Sequence, residues 1–488
     1  MDRAAESTGT FQLTASPDTT LVFRADVRVT AHGSSVTLAS AYRSFALHGV
    51  PLSIQKALAR LGDSPVPLGD LFEPLTQDER GQLEGVLRRC SRLLARCVMA
   101  TGARELMRVE PTADHAHYSV GKLMHECPIR LSRFALFRRR AGVLALESPL
   151  TKHRAELRHS GARTIITGLT GATTAAEVSR ESSELLGLSP SEVYELLSNL
   201  VGAGFAEVGH WEAGMAIFDA DTDCALRQWE FHDLLFHSRS RQGRYDDPSG
   251  GVSEVSDEID LPPAVKQPPQ GPTISLPVPS CDEINASDPS LTSALESRSS
   301  IRSFGRDPLS VRQLGEFLYR VGRIRRRDPT LDGAYQVAER PYPGGGGLYE
   351  LELYVTVQRC GGCPAGIYYY DPLRHMLVLI NSDDDDRAAM LGVAASAMGR
   401  DYQPDVLLTI SARFQRISWK YRSIAYALIL RNAGVVYQTM YLVATAMDIA
   451  RCGIGGGDSD LASRVLKLDY LRESSVGDFV IGSRPCAS

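Results

Sequence analysis

The sequence predicts an α+β protein of several domains, with two tandem winged-helix-like units, an extended linker, and a C-terminal domain of strands and helices. Three observations predict it. At 488 residues the chain is longer than one hydrophobic core serves. From Asp246 to Pro279 the composition shifts to Pro, Ser, Gly and acids, with too few large apolar residues to offset the entropy of ordering. On both sides of that stretch, capped helical patterns alternate with short strand patterns. The expected division is residues 1–125 for the first winged-helix-like unit, 126–240 for the second with a connecting arm, 241–287 for the linker and 288–488 for the C-terminal domain.

In the second unit, Ser189-Pro190-Ser191-Glu192 opens a helix with a capping box and Pro at the first helical position, and Val193, Leu196, Leu197 and Leu200 form its buried face. Gly202 and Gly204 end it, and Phe205 to Val208 follows as a strand. A helical stretch from Ala175 to Leu186 precedes it, and ahead of that lies a strand pair, Arg133 to Phe137 and Val143 to Leu146. The first unit repeats this order loosely, with strands near Leu21 to Val29 and Ser35 to Ala39 and helices from Leu52 to Leu61 and Asp78 to Met99. Ser191, Glu192, Glu195 and Asn199 are expected on the exposed face of the capped helix, where negative charge would repel phosphates. A scaffold that holds a peptide or protein is the reading preferred over DNA binding.

Composition narrows the class further. Apolar content of 43% and charged content of 23% match a globular protein, and no apolar run approaches the roughly 18 to 20 residues that cross a bilayer. The N-terminus, Met1-Asp2-Arg3-Ala4-Ala5-Glu6, lacks the apolar stretch of a secretion signal, so a cytoplasmic location and no membrane partner are expected. A net charge of -5 offers no general attraction to nucleic acid. Nine scattered cysteines suggest reduced thiols. Cys360-Gly361-Gly362-Cys363 has the spacing of a zinc knuckle or a redox pair; with no second such pair to complete four ligands, a tight turn and no metal are expected.

The C-terminal domain carries the chemistry. Its opening, Glu296-Ser297-Arg298-Ser299-Ser300-Ile301-Arg302, places two guanidiniums around a hydroxyl, a good bidentate clamp for phosphate, although alone it could be a solvated basic face. Pro343-Gly344-Gly345-Gly346-Gly347-Leu348 runs straight into the strand Leu351 to Val357, and its bare amides permit close approach of a planar ring. Trp419-Lys420-Tyr421-Arg422 precedes a long apolar helix that carries Ala433-Gly434 and Gln438. Cys452-Gly453-Ile454-Gly455-Gly456-Gly457 and the closing strand Phe479 to Pro485, with Arg484, complete the set.

Together these segments resemble the nitroreductase-like flavoproteins and, within them, the SagB-type dehydrogenases, the azoline oxidases of ribosomal peptide biosynthesis. The segment Trp229 to Gly243 resembles the stretch that leads into the linker in that group; there Trp229, Phe231, Leu235 and Phe236 are read as apolar anchors that fasten this arm to the core or to a partner subunit. The resemblance implies a nitroreductase-like domain with a mixed sheet flanked by helices, and a homodimer with FMN at the subunit interface. It assigns Arg298, Ser300 and Arg302 to the phosphate and ribityl end, with Arg484 completing the phosphate site, or else a solvated C-terminal arginine. Gly344, Gly345, Gly346 and Gly347 would run along the ring, where the group often has Ser at the place of Gly344. Gly453, Gly455 and Gly456 would lie beneath the ring, and Gln438 belongs to the shared helix.

Oxidising an azoline to an azole removes a hydride from one ring carbon and a proton from its neighbour, and the resemblance gives Lys420 and Tyr421 jointly the proton. An azoline-containing precursor peptide and a cyclodehydratase are the implied partners. An NAD(P)H-dependent nitroreductase or other flavin reductase is the nearest rival reading; a peptide-binding scaffold with an inactive redox domain is the third.

Overall fold

A computed structural model describes residues 17–40, 44–113, 116, 118, 120, 123–245, 250–253, 255–331 and 335–485, with the backbone alone at 328–331 and 335. The chain forms two compact units, Met1–Ser249 and Gly250–Ser488.

The first unit is built on a seven-stranded sheet in the order Val66–Pro67, Thr20–Phe23, Leu94–Ala100, Arg104–Pro111, His153–Leu157, Val143–Glu147 and Leu136–Arg140. The predicted strand pair is there, but its first strand is Leu136–Arg140 and not Arg133 to Phe137, and it turns at Ala141 and Gly142, both with positive φ as a two-residue turn between twisted strands requires. The helices Ala175–Leu186 and Pro190–Gly202 each begin with a capping box, Thr174 with Glu177 and Ser189 with Glu192. A three-stranded antiparallel sheet of Thr173–Thr174, Pro128–Leu131 and Ala206–Val208 accompanies them.

Three expectations change here. The helix over Asp78 to Met99 ends at Arg89, and Leu94–Ala100 is a strand paired on both edges; an apolar run buried on two sides carries no period that separates it from a helix. Glu192 and Asn199 are buried, not exposed: Glu192 accepts from the Thr101 amide and hydroxyl, and Asn199 from Tyr118. Ser191 and Glu195 are exposed as expected, so only part of the face assigned to solvent is covered. On the short helix Phe231–Arg239 the buried residues are Leu234 and Ser238, while Trp229, Phe231 and Phe236 are exposed; the Trp229 ring stacks on His237 at 5.7 Å.

The second unit holds a sheet of strands β1 (Thr273–Ser275), β2 (Leu351–Val357), β3 (Gly366–Asp371), β4 (Met376–Asn381), β5 (Val406–Arg413), β6 (Ala450–Ile454) and β7 (Glu473–Gly482). Their order is β1-β4-β3-β2-β5-β7-β6, and every pairing is antiparallel. The mixed sheet implied by resemblance is therefore corrected, since short returns such as Asp371 to Met376 make hairpins and not crossovers. Helices α1 (Val311–Gly322), α2 (Asp384–Met398), α3 (Phe414–Ser418), α4 (Ala425–Ala446) and α5 (Ser459–Leu466) pack on it. One core joins α1 and α4 to the sheet through Phe317, Val436, Met440 and Phe479; another joins α2 and α5 through Leu391, Val465 and Val480. α4 buries Ile429, Ala433, Val436, Met440 and Ala444 in the first of these cores, while Tyr426 and Leu430 on it are exposed.

The Pro-rich stretch remains extended, but from Gly250 on it is fastened to this unit and not a free linker. Gly250–Gly251 pairs with Tyr421–Arg422, the Arg416 and Arg413 guanidiniums donate to the carbonyls of Pro262, Pro263 and Ala264, and Lys266 meets Glu473 at 2.5 Å. Proline removes backbone donors and leaves carbonyls, which is what buried guanidiniums can use.

Candidate active site

The predicted site residues fall into two clusters, both on α4. At its N-terminal end, the Gly344–Gly347 loop meets Lys420 and Tyr421. Gly346 has φ of +63°, and a methyl group there would strike the Tyr421 hydroxyl, so both the backbone and the packing demand glycine. The Lys420 ammonium stands 5.7 Å from the Tyr421 ring, and the Lys420 carbonyl accepts from the Val252 and Ser253 amides at 3.0 and 3.1 Å. The Gly345 amide donates to Asn432 Oδ1 at 3.2 Å, and Asn432 Nδ2 donates to Glu350 at 2.8 Å, in the middle of an otherwise apolar helix face. Burial pushes the Glu350 carboxyl above its ordinary range, opposed by the Asn432 hydrogen bond and by Arg416 and Arg413. Gly346→Ala is expected to cost about 1–2 kcal/mol from backbone strain alone and to displace Tyr421; urea unfolding beside wild type checks it, and an unchanged midpoint would contradict the packing described.

The second cluster gathers around Tyr441, about 14 Å further along the helix axis from Asn432 at 1.5 Å per residue. Its hydroxyl lies 2.8 Å from Ser300 Oγ and accepts from the Gly453 amide at 2.8 Å, while the Arg298 guanidinium sits 5.3 Å from its ring. Arg451 is buried beside them, donating to the carbonyls of Ile449 at 2.8 Å and Ser297 at 3.5 Å, with Nε unpartnered within the chain. Burial first, then the charges of Arg484 and Arg298, hold its pKa below the usual value. Arg484 pairs with Asp448. Arg302 is exposed, its carbonyl accepting from Tyr402 at 2.5 Å, and Gln438 is exposed on α4.

A Cβ at Gly455 or Gly456 would meet nothing within 4 Å, and neither has a positive φ, so the chain's own packing does not explain glycine there. Arg451 with the Arg298 and Arg484 charges near it, one of them paired to Asp448, an orphaned buried Nε and an open glycine turn fit an anionic, planar ligand such as a flavin phosphate. Tyr441, Arg451, Asn432 and Glu350 were not singled out from sequence. The one signal available for Asn432 was a polar residue interrupting an apolar run.

The Cys360 to Cys363 segment is a tight turn, with the Cys363 amide donating to the Cys360 carbonyl at 3.2 Å and both thiols free. Among the described residues no group of His, Cys, Asp and Glu could hold a metal ion, and no helix is long and apolar enough to cross a membrane.

Comparison with known proteins places these features. The nitroreductase family profile matches residues 295–483, and that of the cyanobactin oxidase ThcOx matches residues 129–246. The putative nitroreductase MJ1384 of Methanocaldococcus jannaschii is 27% identical over 202 residues, 41% of this chain and 92% of that protein. The microcin B17-processing protein McbC of Escherichia coli is 26% identical over 136 residues, 27% of this chain and about half, 49%, of McbC. Among solved structures, a putative nitroreductase from Ralstonia eutropha aligns with TM-score 0.35 and 23% identity, covering 50% of this chain and all of that one. The E. coli McbBCD microcin synthetase complex aligns with TM-score 0.33 and 21% identity, over 52% of this chain and 92% of that one. Residues 295–483 match the nitroreductase family, whose enzymes use a flavin, and with the other matches this supports an oxidoreductase. The ThcOx and McbC matches make the chain similar to the SagB/McbC-like oxidases over those segments.

Proposed function

We propose that this protein is an FMN-dependent oxidase that converts thiazoline or oxazoline rings of a precursor peptide to thiazoles or oxazoles. The observation that carries the reading is the Tyr421 hydroxyl packed against Gly346, with Lys420 beside it. A redox loop and a proton-accepting pair then share one place. Arg298, Ser300, Arg451 and Arg484 would hold the phosphate, with Arg302 beside them, and the glycine segments would border the ring. Bound there, the flavin supplies the hydride acceptor, with molecular oxygen as the final oxidant.

The chain's own groups do the rest. Lys420 and Tyr421 take the proton from the carbon next to the one that loses hydride, so the ring gives up two hydrogens in all. The strand pairing of Tyr421–Arg422 with Gly250–Gly251 holds that pair in register. The separation of the two clusters along α4 supports a site assembled from two copies of the chain, hence a homodimer. The first unit, as tandem winged-helix-like modules, would hold the leader peptide or a cyclodehydratase partner.

The test is a mass spectrum of cyclised peptides before and after incubation with the purified protein. Loss of two hydrogens per ring is expected; no loss, together with NAD(P)H-driven reduction of nitroaromatics, would sink the reading in favour of a plain reductase. Arg298→Ala should weaken flavin retention about tenfold or more, through loss of a charge-assisted contact. Flavin absorbance after gel filtration measures it, and full retention would contradict the clamp.

A further inference from the structure

One carboxyl at the glycine turn has no part in the chemistry above. Asp478 lies on β7 opposite Ile454, the last residue of β6, and its Oδ2 is 2.8 Å from where a Cβ on Gly457 would stand. Its Oδ1 accepts from the Thr409 hydroxyl at 2.7 Å. The strand is built irregularly here: Ile410 pairs with Gly477 but Ser411 with Ser475, so Val476 is an extra residue that re-aims its neighbours on the strand. Gly477 has no room for a side chain because the Tyr437 hydroxyl fills it, and that hydroxyl accepts from the Asp478 amide at 2.7 Å while donating to the Ile454 carbonyl at 3.2 Å. Tyr437 on α4 thus ties the bulged strand to the strand that leads into the turn.

We propose that Asp478 is a further proton-holding residue of the flavin site, set beneath the Gly455–Gly457 turn by Thr409 and Tyr437. The inference rests on the flavin reading and adds to it a titratable group on the opposite side from Lys420 and Tyr421. Among the described residues the groups packed around it offer no cation. β5 contributes Thr409, α4 contributes Tyr437, β6 contributes Ile454, and at the start of α5 Asp458 accepts from the Leu461 amide at 2.8 Å. Burial accordingly pushes the Asp478 carboxyl up to about 6, with the Thr409 hydrogen bond opposing it. A carboxyl raised in this way favours the folded state while protonated. That contribution is complete below the ordinary carboxylate range and is lost as pH rises through about 6.

The experiment titrates the visible spectrum and dissociation constant of bound FMN from pH 4.5 to 8 in the full-length protein and in Asp478→Asn, with thermal unfolding at each pH. In wild type the spectrum and affinity should change with a midpoint near pH 6, and the melting temperature should fall relative to Asp478→Asn across the same interval. The variant should bind FMN with neither transition. FMN binding with the same pH response in both proteins overturns the role of Asp478 and leaves the flavin reading intact. Failure of the wild-type protein to bind FMN at any pH overturns both, and loss of FMN from a folded Asp478→Asn alone overturns the proton-holding role.

Discussion

Replacing Lys420 by alanine should lower azole formation by about two to four orders of magnitude, the span a positioned general base contributes, while FMN stays bound. Both halves of that result stem from where Lys420 sits. Its ammonium is beside the Tyr421 ring and its methylenes run past Gly251, in the cluster at the N-terminal end of α4. Arg298, Ser300, Arg451 and Arg484 are in the other cluster, so the substitution removes no phosphate contact. Single-turnover oxidation of a cyclised peptide, measured beside flavin absorbance, separates the two effects. Loss of flavin in the variant would mean that Lys420 is structural, and an unchanged rate would move the proton-accepting role elsewhere.

Arg416→Met should destabilise the second unit by about 3–5 kcal/mol, the range for breaking a buried charged network from one side. Arg416 is fully buried and donates to three segments: to the Leu348 carbonyl at 3.0 and 2.8 Å, to Pro262 at 2.7 Å and to Gln336 at 3.2 Å. Methionine fills most of the volume and satisfies none of those oxygens. The substitution also takes away a cation that offsets the burial of Glu350. Because Leu348 follows the glycine loop and Pro262 belongs to the extended stretch, both should loosen together. Urea unfolding followed by tyrosine and tryptophan fluorescence reads the loss; a change below about 1 kcal/mol would show that the hub carries little.

The segments read as the candidate site were legible because each is local. Four glycines before an apolar strand, an Arg-x-Ser-x-Arg run and a Lys-Tyr pair are each continuous in sequence, and the geometry brings Gly346 to Tyr421 and Ser300 to the clamp. What supports them was not legible. Tyr441 reads as one more aromatic in an apolar helix, yet it bonds Ser300 across 141 positions. Arg416 reads as an ordinary basic residue, yet it reaches Pro262 across 154 positions. Trp229, Phe231 and Phe236 do not anchor the arm to the core of this chain, because apolar character does not say which side of a short helix is covered.

From its sequence alone this protein has its capped helix starts, the presence of a strand pair ahead of them and the run of glycines before an apolar strand. Those properties arise from capping, sterics and side-chain chemistry, which act within a few residues. Only the tertiary structure decided that the sheet of the second unit is antiparallel throughout, that the Pro-rich stretch is strapped to the Lys420–Tyr421 segment, and that Asp478 is raised beneath a turn. Those depend on burial and on contacts between segments far apart in the chain, where packing and desolvation outweigh local preference.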